Sequence, residues 1–300
     1  MEIPEALLRH LFGYDRTLPL LATSEPEPAL NLATREPRTD IRRERVTFGS
    51  THDERVTATV IMPGSGDGPW PAVVVQHGST PMGRHTNVSA VAGAAEPAVI
   101  GWAATGLLVI AVDAYGFGSR ERADNRGRLT TDRPDLMFRT RDARMQSVQD
   151  LMRTVDYLQT RADVKADAIG YHGVSMGCRL GVPFIALDRR VKAASLFVGG
   201  SGPYSRFVTA GTAFEDLADQ EAMINVLTDP ITFAPLTGHV SKFVVNGKRD
   251  RTVGGVEPAE RLQAAMAAPK EIRWYDGDHG EFGPTLLAEA RDFLAGHLQA

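Results

Sequence analysis

Six short apolar runs alternate with stretches of helical length, and this alternation limits the chain more than any other feature. The runs are Ala72–Gln76, Leu107–Val112, Ala168–Tyr171, Ala193–Val198, Phe243–Asn246 and Ile272–Tyr275. Helical patterns fall at Ala90–Thr105 (interrupted near Pro97), Arg141–Arg161, Met176–Leu187, Pro258–Ala267 and Thr285–Leu298. Strands that are apolar throughout, rather than on alternate residues, must be buried on both faces. With helices between them they predict a doubly wound, mostly parallel α/β sheet. Glu44–Phe48 and Arg55–Met62 alternate instead, around the turn cluster Gly49-Ser50-Thr51-His52-Asp53. They predict an antiparallel pair at one edge.

The 300 residues suit one large domain. Residues 1–40, Pro- and Glu-rich after a helical pattern at Pro4–Phe12, predict an N-terminal extension that packs on a domain spanning 41–300. Two stretches break the alternation, Phe117–Thr140 and Ser201–Val240, and excursions of this length in a compact domain are often functional. The second is expected to be a small cap insertion at 201–240. Its Tyr204, Phe207, Phe214, Met223, Ile224 and Phe233 fit an apolar pocket and helical core packing equally well.

Composition narrows the chemistry. Cys178 is the single cysteine, which rules out an intrachain disulfide and a Cys-rich zinc site. A formal net charge of -4 argues against a nucleic-acid binder. The longest strongly apolar run has six residues, far below the ~20 that cross a bilayer. The start, Met1–Glu5, lacks a basic segment leading into an apolar one. The expectation is a soluble, cytoplasmic protein with no membrane or nucleic-acid partner. There is no His-Glu-x-x-His, no phosphate-binding Gly-x-x-x-x-Gly-Lys-Ser/Thr loop and no Gly-x-Gly-x-x-Gly after a strand, so no metal or cofactor is expected.

The most informative segment is Ala168-Ile169-Gly170-Tyr171-His172-Gly173-Val174-Ser175-Met176-Gly177. Gly-x-Ser-x-Gly alone is a weak pattern. Here it directly follows a predicted strand and directly opens a predicted helix, as a nucleophile elbow requires. A turn that tight needs small neighbours, and it sets the serine beside a helix N-terminus that favours a developing anion. The competing reading is a Gly-rich turn with a capping serine. An acid and a histidine then follow in the order the elbow demands. Asp250 stands in the loop after Lys242–Asn246, and His279 in the loop after Glu271–Tyr275, between Gly277 and Gly280. In a parallel sheet all three fall on one rim. Asp276 and Asp278 are rivals for the acid. The backbone N–H of Met176 and that of Ser79, in the loop His77-Gly78-Ser79-Thr80, are the candidate oxyanion donors. His77 precedes the serine and reads as a residue that shapes its loop.

These segments, with the turn Asp113-Ala114-Tyr115-Gly116-Phe117-Gly118, resemble the α/β-hydrolase superfamily over about residues 45–298. Within it the chain is most similar to the dienelactone hydrolase-like and acetyl xylan esterase-like branch. The strand pair leading into the His-Gly strand, Asp229-Pro230-Ile231 before the acid strand, and the short segment between Val198 and Lys242 carry that likeness. The resemblance implies an eight-stranded, mostly parallel sheet and a serine esterase that works without cofactor on a small-molecule carboxylic ester through an acyl-enzyme. Thioesterase, peptidase and carbon–carbon hydrolase activities would use the same three residues, and a non-catalytic binding protein is the reading of another class. Dienelactone hydrolases proper carry a cysteine nucleophile. Ser175 stands there instead, and Cys178 reads as a packing residue. Ser79-Thr80-Pro81-Met82 before Gly83, and Ser119 directly after Gly118, depart from the branch's pattern.

Gly78, Tyr115 and Arg120 are the candidate substrate contacts. The segment from Ser119 to Arg144 carries eight arginines, Arg120, Arg122, Arg126, Arg128, Arg133, Arg139, Arg141 and Arg144, among five acidic residues. One reading has an arginine clamp a substrate carboxylate. The other, which we favour, has the charges pair locally or meet a neighbouring subunit. This loop and the N-terminal extension are the candidate surfaces for a homo-oligomer.

Overall fold

The computed structural model describes residues 3–31, 34–89, 97–126, 137–202 and 225–299. In chain order the main elements are α1 (Glu5–Leu11), β1 (Thr23–Glu27), β2 (Ile41–Gly49), β3 (Arg55–Pro63), β4 (Trp70–Gln76), α2 (His85–Val88), α3 (Ala98–Ala103), β5 (Leu108–Val112), α4 (Met137–Thr160), β6 (Val164–Val174), α5 (Met176–Leu187), β7 (Val191–Phe197), α6 (Pro230–Phe233), β8 (Ser241–Gly247), α7 (Val256–Ala265), β9 (Lys270–Tyr275) and α8 (Pro284–Gln299).

The strands form one sheet in the order β1-β2-β3-β5-β4-β6-β7-β8-β9. The first three pairings, β1 with β2, β2 with β3 and β3 with β5, are antiparallel, and every later pairing is parallel. Nine strands stand where the resemblance implied eight. The addition is β1, from the N-terminal extension. Its sequence Thr-Ser-Glu-Pro-Glu has neither apolar alternation nor strand propensity. It is a strand because the free edge of β2 supplies hydrogen bonds in register, Thr23 opposite Thr47 through Glu27 opposite Arg43. Pro26 is tolerated because β1 is the edge strand of the described sheet.

Side chains of the central strands alternate between two buried layers, as the pleat requires. Val74, Ile110, Tyr171 and Leu196 face one layer with α1, α4, α5 and α7. Val73, Val75, Val109, Phe197 and Val245 face the other with α3 and α8. The N-terminal extension joins the first layer: Leu8 and Phe12 are buried, and Phe12 meets Phe233 edge-on at 5.3 Å. Residues 225–240 of the expected cap insertion pack into the same layer, with Phe233 fully buried. Of the two readings of Phe233, core packing is the one its burial fits. Tyr204, Phe207, Phe214, Met223 and Ile224 lie outside the described residues, as do Arg128 and Arg133 and residues 90–96 of the expected helix 90–105. Among the described residues no helix is long and apolar enough to cross a membrane.

Parallel register sets the rim. Gln76 of β4 pairs with both Val112 of β5 and Gly173 of β6. Val174 pairs with Phe197, Phe197 with Val245, and Gly247 with Tyr275. The carboxyl ends of six strands thus finish at one level, and the loops leaving them share one edge of the sheet.

Candidate active site

Ser175 sits between β6 and α5 with φ 55° and ψ −111°, a left-handed backbone conformation that a side chain adopts only under constraint. The constraint is packing. Ser175 N–H still donates to the Phe197 carbonyl at 2.9 Å, as though the strand continued, while Arg179 N–H already donates to the Ser175 carbonyl at 3.1 Å, as in the helix. One residue makes the whole reversal: its N–H donates back into the strand, and its carbonyl receives the Arg179 N–H of the helix. The flanking glycines follow from this. A Cβ at Gly177 would lie 2.3 Å from the Gln76 carbonyl oxygen, and one at Gly173 would lie 2.6 Å from the Gly177 oxygen. Met176 is the first residue of α5, so its N–H is among those with no partner inside the helix.

A chain of hydrogen bonds leads away from the serine. His279 Nε2 lies 2.9 Å from Ser175 Oγ, and His279 Nδ1 lies 2.8 Å from Asp250 Oδ2. The carboxylate accepts, so Nδ1 carries the proton and Nε2 turns its lone pair to the hydroxyl. Asp250 is fully buried, and its other oxygen accepts the N–H groups of Thr252 at 3.0 Å and Val253 at 3.2 Å. Asn246 holds the end of β8: it donates to the Gly199 carbonyl at 2.8 Å and accepts from Gln263 at 2.8 Å. The rival acids face elsewhere. Asp278 accepts from Arg251 and from the backbone N–H of His279, which hold its carboxyl down at about 2. Asp276 is exposed beside Arg249.

The loop after β4 runs against the elbow, where a Cβ at Gly78 would lie 3.4 Å from that of Ser175. His77 shapes this loop. Its Nε2 accepts the Ala114 N–H at 3.1 Å, so Nδ1 must be the protonated nitrogen facing the Gly78 carbonyl at 2.6 Å. Burial lowers its pKa and favours this neutral form. Asp113, fully buried, accepts the Arg84 N–H at 2.7 Å, the Arg84 guanidinium, and the Ser119 N–H and hydroxyl at 3.0 and 2.7 Å. It thereby ties the far end of the same loop to the turn after β5. Sequence reading did not single out this pair; the only available signal was the Asp that begins the Asp113–Gly118 turn.

A cavity of about 480 Å³ opens beside Ser175 and His279. Gly78 and Ser79 line it, together with residues of α2, α3 and the start of α8. His172 reaches it from β6. Burial pushes its imidazole down to about 3, and Ser195, Trp102 and Phe197 hold it as a neutral ring. Cys178 is buried, its Sγ filling the space that a Cβ on Gly199 would need, and burial pushes the thiol up to about 12.

Of the three candidate substrate contacts, Gly78 lines the Ser175 cavity and Tyr115 and Arg120 do not. Arg120 is 4% exposed and donates to Asp150 at 2.6 Å and to the Asp113 carbonyl at 3.2 Å. Its guanidinium lies 5.6 Å from the centre of the Tyr115 ring. Tyr115 lines a separate cavity of about 600 Å³, with Glu54, Asp124, Arg139 and Asp142, that includes neither Ser175 nor His279. Four more arginines of the loop pair nearby: Arg122 with Glu54, Arg126 with Glu121, Arg141 with Asp142, and Arg144 with Asn225, while Arg139 lines the larger cavity. None of them lines the Ser175 cavity.

Comparison with known proteins agrees with this picture of the fold. The putative hydrolase YtaP of Bacillus subtilis (strain 168) is 31% identical over 144 residues, a stretch that spans 46% of this chain and 46% of that protein. An acetyl xylan esterase from Paenibacillus sp. R4 superposes with a TM-score of 0.72 over 98% of this chain and 93% of that one, at 18% identity. Acetyl xylan esterase 1 from Thermoanaerobacterium sp. JW/SL YS485 gives 0.70 over 99% of each chain, at 16% identity. At these identities the likeness is one of fold, here an α/β-hydrolase fold. The sequence pattern of the acetyl xylan esterase (AXE1) family matches residues 13–219, a span that holds the His77 loop and the Ser175 elbow and stops short of Asp250 and His279. With more than half of its length matched, the chain belongs to the acetyl xylan esterase (AXE1) family.

Proposed function

We propose that the chain cleaves carboxylic esters with Ser175 as nucleophile, His279 as general base and Asp250 as the group that orients the base. The observation that carries this reading is the unbroken series Ser175 Oγ, His279 Nε2, His279 Nδ1, Asp250 Oδ2, with steps of 2.9 and 2.8 Å, on a serine held at positive φ. A free serine hydroxyl is a poor nucleophile and needs a base within hydrogen-bond reach. His279 takes the hydroxyl proton as Oγ adds to the ester carbonyl. Asp250, buried and anchored by two backbone N–H groups, fixes the tautomer and stabilises the imidazolium that forms. The N–H groups of Met176 and Ser79 receive the oxyanion. His279 then protonates the leaving alcohol, and water enters by the same base to release the acid from the acyl-enzyme.

We further infer one catalytic domain, residues 41–300, to which residues 1–40 add a helix and an edge strand. Acetyl esters are the first substrates to try, because the matched family and the two superposed enzymes carry that name. The test is Ser175→Ala. The variant is expected to keep the wild-type unfolding transition and to lose turnover of p-nitrophenyl acetate by at least 10³-fold, with no labelling by a fluorophosphonate. Retained turnover would remove Ser175 from the mechanism.

A further inference from the structure

The cavity beside Ser175 is more specific about the ester than the triad is. Pro97, Ala98 and Val99 from α3 and its N-cap, Val174 from the end of β6, and Phe282 and Leu287 from the last loop and α8 give it an apolar wall. The wall is fixed. Val99 is 4% exposed, and Phe282 packs edge-on against Phe197 at 5.0 Å. The polar residues of the lining are neutral hydroxyls and an amide, apart from the two histidines. Among the described residues, no Asp, Glu, Lys or Arg lines it. In a chain with 33 basic and 37 acidic residues, that absence separates this cavity from the 600 Å³ one, which four charged side chains line.

Size gives the second constraint. An acetyl methyl is about as large as a water molecule, which occupies ~30 Å³ in the liquid. The cavity, at about 480 Å³, has room for far more than a methyl. A carboxylate placed against that wall would give up part of its water and meet no Lys or Arg among the described lining residues. A hydrocarbon group would gain by burial against the same wall.

We propose that this cavity receives an uncharged hydrocarbon group of the ester, about four to eight carbons long, and that the enzyme prefers such esters to acetates of small alcohols and to esters bearing a carboxylate. The proposal rests on the Ser175 and His279 reading. It assigns Ala98, Val99, Phe282 and Leu287 as specificity-determining residues. The hydrocarbon can belong to the acyl side or to the alcohol side, and the two are separable.

The experiment uses the full-length protein and two series. One is p-nitrophenyl esters from acetate through butyrate and hexanoate to octanoate, with the p-nitrophenyl ester of succinate as the anionic match to butyrate. The other is acetate esters of alcohols from methanol to hexanol, followed by proton release. In one series kcat/KM is expected to rise about three- to fourfold per methylene, as burial of ~0.8 kcal/mol each implies, and then level off. The succinate ester is expected to fall at least 30-fold below butyrate. Ala98→Phe narrows the cavity and should move the optimum to shorter chains. Leu287→Ala widens it and should move the optimum to longer ones, so the test survives if one variant does not fold. Loss of turnover in Ser175→Ala together with acetate and methanol as the best members of both series, or with succinate equal to butyrate, would overturn this proposal alone. Turnover that survives Ser175→Ala would overturn it together with the catalytic reading.

Discussion

Gly177→Ala tests whether the approach of α5 to the end of β4 is what builds the site. The added Cβ would stand 2.3 Å from the Gln76 carbonyl oxygen and 3.2 Å from that of His77. An ordinary carbon–oxygen contact is about 3.3 Å. Relief requires α5 and β4 to separate by roughly 1 Å, because both offending atoms are backbone and neither can rotate away. Met176 rides on α5, and Ser79 lies three residues beyond Gln76. The proposed oxyanion donors therefore part by the same distance, which stretches a hydrogen bond of ~2.9 Å beyond use. Loss of one such donor costs on the order of 10²–10³ in kcat. Overpacking of this kind destabilises by about 1–3 kcal/mol, partly offset by up to ~1 kcal/mol of helix propensity gained on replacing glycine. The expected result is a folded enzyme whose kcat falls about 100-fold or more with a small change in KM. Steady-state kinetics on a p-nitrophenyl ester and thermal unfolding by circular dichroism measure the two effects. Gly296→Ala in α8 is the control, since a Cβ there meets nothing within 4 Å. It should leave kcat at the wild-type value and raise stability. A Gly177→Ala enzyme with kcat within threefold of wild type would refute the argument from close approach.

Three further outcomes are expected. Asp250→Asn should lower kcat by about 10³–10⁴, the effect expected when the base loses its orienting carboxylate, while Asp278→Asn, whose partners are Arg251 and a backbone N–H, stays within tenfold; the reverse order in the same assay would exchange their roles. Asp113→Ala leaves the buried Arg84 guanidinium without its anion and should cost about 3–5 kcal/mol, read as a fall in the urea midpoint; a loss below 1 kcal/mol would mean that the pair does not hold the two loops. His172 titrates near 3 in the fold and near 6.5 when unfolded, so below pH 6.5 the unfolded chain takes up a proton that the native one refuses, and stability falls as pH drops toward 3. At pH 4.5 this single group accounts for about 2–3 kcal/mol, and His172→Asn should reduce the stability lost between pH 7 and pH 4.5 by that amount; identical losses in both proteins, from denaturant unfolding at the two pH values, would show that His172 is not the group.

What the sequence makes legible here is whatever depends on local pattern and chain order. Val73, Val74 and Val75 announce a strand buried on both faces. Gly173 and Gly177 announce the elbow because the close contacts that demand them are only a few residues away along the chain or at the adjacent strand end. Asp250 and His279 can be found without coordinates because each follows a parallel strand, and parallel strands end together. The features that were not legible depend on partners far away in sequence. Thr23–Glu27 becomes a strand only through the edge that β2 leaves open. Arg120 looked free to meet a substrate because nothing near it in sequence reveals Asp150, one face of a long helix, as its buried partner. The wall of the cavity joins residues 97–99, 174, 282 and 287, four stretches whose meeting no short pattern encodes.

The placement of charge is itself a physical argument about rate. Arg153 is among the largest fully buried side chains, and it donates to the Leu18 carbonyl at 2.7 Å while pairing with Asp156. Tyr14 donates to the same aspartate at 2.8 Å, and Gln149 to the Gly13 carbonyl at 3.2 Å. Arg190 joins Asp156 to Asp188. Such buried pairs add little net stability, because desolvation offsets their attraction, but they accept only one register of the chain that crosses them. The N-terminal segment is thus docked on α4 by geometry as much as by Leu8 and Phe12. The Ser175 cavity is built in the opposite way, with an apolar wall and, among its described residues, no Asp, Glu, Lys or Arg. Beside such a wall less counter-charge screens the field of the two proposed N–H donors and the helix N-terminus, so in the proposed mechanism they would stabilise an oxyanion more strongly than they would beside a guanidinium-rich loop. With Arg120, Arg122, Arg126, Arg141 and Arg144 held by partners of their own and absent from the Ser175 cavity, the negative charge of the proposed mechanism would fall to groups whose positions the fold has already fixed.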